Sequence, residues 1–95
     1  MLEIRQSDEF NHWLTNLRDR RAVRRVAVRI TRMQAGHMGD VKYFEGIGEL
    51  RIDYGPGYRV YFVRRGMTII ILLSGGDKST QGRDITRAKA MAQEG

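Results

Sequence analysis

The sequence predicts a single α+β domain in which an antiparallel sheet has helices packed on one face. Three observations predict this class: apolar residues recur at helical spacing in the first half of the chain, alternate with polar residues at strand spacing in the second half, and return to helical spacing at the end. A chain of 95 residues can bury one core. We therefore expect one domain over residues 1–95, with the element order β-α-α-β-β-β-α.

The first half begins with a short strand at residues 2–5 and continues as two helices. Ser7 is a suitable N-cap, and the two acids after it suit the positive end of a helix dipole. The apolar stripe of this first helix is Phe10, Trp13, Leu14 and Leu17. We expect a break near Asp19 and a second helix whose buried side is Val23, Val26, Ala27, Ile30 and Met33. The two helices together predict an α-hairpin.

The second half predicts a meander of three strands. A brief extended piece at 42–44 precedes the alternating segment 49–53, and Gly55-Pro56-Gly57 is a strong turn signal. The next strand covers 58–64, and residues 68–73, apolar on both faces, are typical of a central strand. A polar, glycine-rich loop then leads into a closing helix from about Asp84.

Composition indicates a basic protein that binds a polyanion or an acidic protein. Seventeen Lys and Arg against eleven Asp and Glu leave a net charge of +6, and seven arginines with one acid lie between Arg18 and Arg32. The absence of cysteine excludes disulfides and thiolate metal sites and fits a reducing compartment. No apolar stretch resembles a signal peptide or a membrane span, so we expect a cytoplasmic protein without membrane contact. The two histidines are 25 positions apart, and we expect neither a metal nor another cofactor.

The segment GYRVYFV, residues 57–63, carries the strongest candidate for chemistry. Its alternation places Arg59 and Tyr61 on one strand face, and strand parity turns Arg51 of the preceding strand the same way. A guanidinium fork matches two phosphate oxygens and stays charged, so Arg59 and Arg51 could hold one phosphate. Tyr61 could stack a nucleobase or donate a proton. The alternative is that these arginines are only solvated and that Tyr61 covers the aliphatic stem of Arg59.

Other cations extend the candidate site. Lysine is scarce, and Lys42 and Lys78 could act as a general base or as electrostatic support, because neighbouring positive charges lower a lysine's basicity. Gln81 could assist by hydrogen bonding to RNA. Along the second helix, the arginines that could line RNA phosphates include Arg25, Arg29 and Arg32, although the same face could meet an acidic partner or serve only solubility. His37, in a glycine-flanked loop without a paired carboxylate, is more typical of an incidental residue.

The segments ELRI, GPGYRVYF and IILLSGGDKSTQ, with the closing helix, resemble the RelE/ParE toxin superfamily, in particular its HigB-like, phage-derived addiction module killer branch. The resemblance covers nearly the whole chain. It implies a microbial-ribonuclease-like sheet and the toxin of a type II toxin–antitoxin system, an mRNA endonuclease (mRNA interferase) that acts at the ribosome and inhibits translation. Arg59 matches the strand arginine that RNA-cleaving members use. The implied partner is a HigA-like helix-turn-helix antitoxin, in a heterotetramer.

Two alternatives stay open at this point. The ParE branch uses the same scaffold to poison DNA gyrase without cleaving RNA, because a fold does not dictate one activity. A simple nucleic-acid-binding or structural phage-type protein is the other. The tail AKAMAQEG also lacks the tyrosine or histidine that several RNA-cleaving members carry near the C-terminus. The general acid is therefore unassigned, and the proton relay of RelE does not transfer to this chain.

Overall fold

A five-stranded mixed sheet with helices on both faces forms the framework of the computed structural model, which describes residues 1–94. The elements are β1 (Glu3–Gln6), α1 (Asp8–Thr15), α2 (Arg20–Gln34), β2 (Val41–Phe44), β3 (Ile47–Ile52), β4 (Tyr58–Arg65), β5 (Ile69–Asp77), a short 3₁₀ turn (Lys78–Thr80) and α3 (Gln81–Glu94). The sheet order is β1-β5-β4-β3-β2. The predicted α+β class is confirmed.

Capping side chains set the start of the first two helices. The Ser7 hydroxyl accepts a hydrogen bond from the backbone N–H of Phe10 at 3.0 Å. Asp19 accepts from the N–H groups of Arg21 and Ala22, so the expected break between the helices is confirmed. Each such cap stabilises its helix by about 1 kcal/mol.

The expectation of a purely antiparallel sheet is wrong, because β1 pairs in parallel with β5. Residue Glu3 lies opposite Ile69, and a pairing across so many residues leaves no local trace in the sequence. The connection between these two parallel strands contains both α1 and α2 and the strands β2, β3 and β4. The extended piece expected at 42–44 is β2, an edge strand paired with β3.

Both faces of the sheet bury apolar side chains, whereas one covered face was expected. The larger core lies beneath α1 and α2, where Phe10, Val26 and Met33 pack on strand residues that include Leu50, Val60, Phe62 and Leu72. Ala22 is buried in this core, while Ala27, expected on the buried side of α2, is exposed. On the opposite face, α3 packs over Ile47, Tyr61, Val63 and Leu73.

Strand β5 continues to Asp77 through a bulge, instead of ending at Leu73 in a loop. Tyr61 pairs with Ser74 and Phe62 with Leu72, so Leu73 has no partner in the ladder. The bulge turns Gly75 toward α1, where a Cβ atom would lie 2.2 Å from the Trp13 ring, so only glycine fits there. No helix within residues 1–94 is long and apolar enough to cross a membrane.

Candidate active site

Strand register assembles two rows of polar residues on the face that α3 partly covers. In the first row Lys42 pairs with Glu49, Glu49 with Tyr61, and Tyr61 with Ser74. In the second row Arg51 lies directly opposite Arg59, which in turn pairs with Gly76. The shared face of Arg51, Arg59 and Tyr61 is therefore the one that strand parity predicts.

Glu49 is the centre of this arrangement, and sequence reasoning missed it. Its carboxylate is fully buried. Oε1 lies 3.5 Å from Nε of Arg51 and 3.8 Å from Nε of Arg59. Oε2 accepts hydrogen bonds from the Tyr61 hydroxyl at 3.0 Å and from the Gln81 amide at 2.8 Å. Glu49 lies two residues before Arg51, so strand alternation also predicts it on the face that Arg51 and Arg59 share. That alternation is the sequence signal that could have identified it.

Three buried polar atoms of this face have no hydrogen-bond partner: Oε1 of Glu49, Nε of Arg59 and Oγ of Ser74. Buried polar groups in native proteins are nearly always paired, and unpaired ones concentrate at functional sites or at sites that hold water or ions. The Glu49–Arg59 pair is thus close enough for charge attraction but lacks the hydrogen bonds that would complete it. This leaves donor and acceptor capacity in the cluster.

The open end of the same face is a cleft of about 300 Å³ beside the β3–β4 turn. Its lining brings Arg51, Arg59 and Lys78 together, as expected, with the acids Asp40 and Asp53 at its rim. The cations differ in access: the Arg59 side chain is 6% exposed and that of Arg51 is 37% exposed. Lys78 is exposed. Arg59 also donates to the carbonyl of the residue before it at 3.1 Å.

The turn that forms the cleft wall depends on a glycine. Gly57 has a φ of +82°, a conformation that glycine adopts without strain. A Cβ atom there would lie 3.0 Å from the aliphatic stem of Lys78, whose own N–H donates to the Gly57 carbonyl at 3.1 Å. The absence of a side chain therefore lets Lys78 lie across the turn and into the cleft.

The expectation that Tyr61 stacks a nucleobase is wrong, because its ring is fully buried beneath α3. Burial, together with the neighbouring Glu49 carboxylate, raises the pKa of Tyr61 well above its usual range. The hydroxyl therefore stays protonated and donates to Glu49. Tyr61 positions the carboxylate instead of meeting a base.

Lys42 and Gln81 lie beside the cluster but outside the cleft lining. Lys42 is exposed on the edge strand, with Nζ 5.1 Å from the centroid of the Phe44 ring. The amide of Gln81 donates to Glu49, so this side chain holds the carboxylate from the first turn of α3. This hydrogen bond to Glu49 does not support the predicted role of Gln81 in binding RNA.

The arginines predicted to bind RNA along α2 have different surroundings. Arg29 donates to the backbone carbonyls of Arg51, Met38 and Asp40, so it anchors the β2–β3 region to the helix and is not a free contact. Arg25 is exposed and stacks 4.6 Å above the centroid of the Tyr54 ring. Arg32 is exposed. For these last two, RNA binding stays a prediction.

The chain is similar to a known protein over nearly its whole length. An uncharacterized protein of Haemophilus influenzae is 48% identical over 94 residues, a match that covers 98% of this chain and 95% of that protein. The chain belongs to the family of this Haemophilus protein. It matches no family model and no solved structure.

In this family member, three cations line the cleft, and the buried Glu49 carboxylate lies beside two of them, Arg51 and Arg59. Arginine and lysine stabilise charge on phosphate oxygens, and a carboxylate can accept a proton. Within residues 1–94, no three His, Asp or Glu side chains gather in a metal-binding group.

Proposed function

We propose that the chain is the toxin of a type II toxin–antitoxin pair and cleaves mRNA at the ribosome. The observation that carries this proposal is the buried Glu49 carboxylate beside Arg51 and Arg59, two arginines that line one cleft together with Lys78. The resemblance of the strand and loop motifs to RelE-like and HigB-like toxins supports the same function. The α+β architecture, in which two consecutive helices precede a meander of strands, supports it too.

The proposed reaction is a transesterification within the RNA. The ribose 2′ oxygen attacks the adjacent phosphorus, a new P–O bond forms to that oxygen, and the bond to the 5′ oxygen breaks. Glu49 accepts the 2′-hydroxyl proton through Oε1, the oxygen that has no hydrogen bond. Lys78, the exposed donor of the cleft, supplies a proton to the departing 5′ oxygen. The products are a 2′,3′-cyclic phosphate and a free 5′ hydroxyl.

The two arginines have separate duties in this scheme. Arg59 is almost fully buried, so it stays beside Glu49 and offers a fixed charge to the phosphate. The Arg51 side chain is more exposed. We propose that it moves from Glu49 onto the bound phosphate and thereby opens access to the carboxylate.

A second function, poisoning of DNA gyrase on the same scaffold, is favoured by one observation. Glu49, Arg59, Tyr61 and Gln81 contact one another beneath the surface, and a buried polar network of this kind can serve rigidity alone. In that case the exposed surface would bind the target, and the cluster would do no chemistry.

One expression experiment separates these functions. The chain is expressed from a tight promoter, with mRNA integrity and an SOS reporter followed in the same culture. We expect growth arrest with cut mRNA and a silent reporter, and no arrest with Arg59→Ala or Glu49→Gln. Arg64→Ala, on the same strand but exposed, is the matched control and should arrest growth as the parent does.

Each other outcome identifies which part is wrong. Intact mRNA with a strong SOS response indicates the gyrase function. Arrest by Arg59→Ala as rapid as by the parent chain removes the cleft from the mechanism. Absence of arrest and of both signals refutes the toxin proposal. Purified chain with ribosomes should leave 2′,3′-cyclic phosphate ends, and circular dichroism should show that the variants are folded.

The proposal includes a partner. A HigA-like helix-turn-helix antitoxin would bind the chain, in a heterotetramer, and prevent it from reaching the ribosome. Co-expression of the adjacent open reading frame should then relieve arrest and yield a complex that co-purifies. Relief without co-purification would contradict direct neutralisation.

A further inference from the structure

Two grooves flank helix α2. One, of about 640 Å³, lies between the end of α1 and the start of α2 and is lined by Leu14, Thr15, Leu17, Arg18, Arg20, Val23 and Arg24. The other, of about 580 Å³, runs along the opposite flank of α2; its lining includes Val28, five arginines and Asp53, which also lines the cleft. Arg24 lines both grooves, so they form one continuous surface, which we call the α2 surface.

The α2 surface is strongly positive, since its lining holds seven arginines and one acid, Asp53. Within residues 1–94, no carboxylate oxygen lies within 4.0 Å of a guanidinium nitrogen of Arg18, Arg20, Arg21, Arg24, Arg25 or Arg32. Asp19, the acid in this stretch, caps α2 and accepts a hydrogen bond from the Tyr54 hydroxyl at 2.8 Å. Like charges four residues apart on a helix, such as Arg20 and Arg24, repel each other. A partner that supplies carboxylates or phosphates would relieve this repulsion.

The floor of the α2 surface is apolar. This feature distinguishes a protein partner, which supplies carboxylates, from a nucleic acid, which supplies phosphates. Leu14, Leu17 and Val23 are half-buried at the base of the first groove, and Val28 is 47% exposed beside the second. A nucleic-acid backbone presents phosphates and sugars and gains little from such a floor. An amphipathic protein helix presents apolar side chains on one face and carboxylates beside them, and it matches both features.

We propose that the α2 surface binds an acidic amphipathic helix of a partner protein. Its apolar side chains would occupy the groove over Leu14, Leu17 and Val23, and its carboxylates would meet Arg18, Arg20 and Arg24. In the proposed function this helix belongs to the antitoxin, and to that extent the inference rests on that proposal. The groove over Leu14, Leu17 and Val23 shares no lining residue with the cleft, so binding there can be measured without reference to RNA cleavage.

The test uses three fluorescent probes with the purified, full-length chain. The first is an acidic amphipathic helical peptide of about five turns with leucines at the i, i+3, i+4 and i+7 positions. The second has the same net charge but glutamine in place of each leucine. The third is a short oligouridylate RNA. Anisotropy titrations at low and high salt give the affinities, and amide chemical shifts map the contact.

We expect the amphipathic peptide to bind at least about tenfold more tightly than its glutamine counterpart. Val23→Ser should remove most of that difference, because it changes the floor alone. Arg20→Gln combined with Arg24→Gln should weaken the peptide about tenfold, more at low salt than at high salt. Arg83→Gln, at a side chain that is 79% exposed on α3, is the matched control and should change nothing.

Three results would overturn the inference. Equal affinity for the two peptides would show that charge alone acts. Tighter binding of the RNA to the same residues, unaffected by Val23→Ser, would make the α2 surface a nucleic-acid site. No peptide binding at high micromolar concentration would remove the site. mRNA cleavage is measured in a separate experiment. If the chain binds the peptide but does not cut mRNA, the proposed function is refuted and the inference about the α2 surface stands.

Discussion

Replacing Glu49 by glutamine tests the electrostatic core of the site. Glutamine keeps the volume of the side chain, and its carbonyl oxygen can still accept from the Tyr61 hydroxyl and the Gln81 amide. The substitution therefore removes one negative charge and little else. What it leaves behind is Arg59, with a side chain 6% exposed and no other carboxylate within 4.0 Å among the described residues.

The expected cost follows from burial and geometry. Removing one partner of a buried ion pair typically costs about 3–5 kcal/mol, because the remaining charge stays buried without compensation. The Glu49–Arg59 contact is long at 3.8 Å and lacks a hydrogen bond, so the lower end of that range applies. Arg51 is 37% exposed, and solvent screening limits its share to less than about 1 kcal/mol. We expect Glu49→Gln to lower the free energy of unfolding by about 3 kcal/mol.

Urea unfolding followed by circular dichroism measures this change, and a double-mutant cycle isolates the pair. Glu45→Gln, at an exposed glutamate just before β3, is the matched control and should cost less than about 0.5 kcal/mol. With Arg59→Gln added, no buried charge is left alone, so the double variant should lose about 2 kcal/mol less than the sum of the single losses. A single loss below about 1 kcal/mol with additive changes would refute the reasoning.

The remaining predictions concern the bulge, the buried phenol and the anchoring arginine. Gly75→Ala would place a methyl group 2.2 Å from the indole ring of α1 and should cost about 1–3 kcal/mol in urea unfolding. Gly82→Ala, with open space around it, should not destabilise. Because the folded chain raises the pKa of Tyr61, it keeps the phenolic proton after the unfolded chain has lost it, so stability should fall as pH rises above about 10. Tyr61→Phe should make this fall shallower; an unchanged slope would contradict the assignment. Arg29→Gln should cost about 1–3 kcal/mol by leaving carbonyl groups without a donor. Arg32→Gln, exposed on the same helix, should cost less than about 0.5 kcal/mol, and equal losses would show that Arg29 is no anchor.

Local signals predicted most of the elements and part of the site. The Ser7 cap, the restart at Asp19 and the turn at Gly55-Pro56-Gly57 each depend on a few neighbouring residues, and the structure confirms all three. Period-two alternation likewise predicted that Arg51 and Arg59 share a face, because parity along paired strands needs only the correct register. These features belong to the sequence itself, since steric and hydrogen-bonding preferences act over a few residues.

Long-range packing decided the rest. The parallel pairing of β1 with β5 and the position of α3 on the second face join residues that are far apart in the chain. Those contacts bury Tyr61, bring Gln81 to Glu49 and convert an apparently exposed arginine at position 59 into a buried one. Charge and spacing can be read from the order of residues, but access to solvent depends on which segments pack above them. For this protein the sequence therefore determined which side chains share a face, and only the tertiary structure determined which of them a substrate can reach.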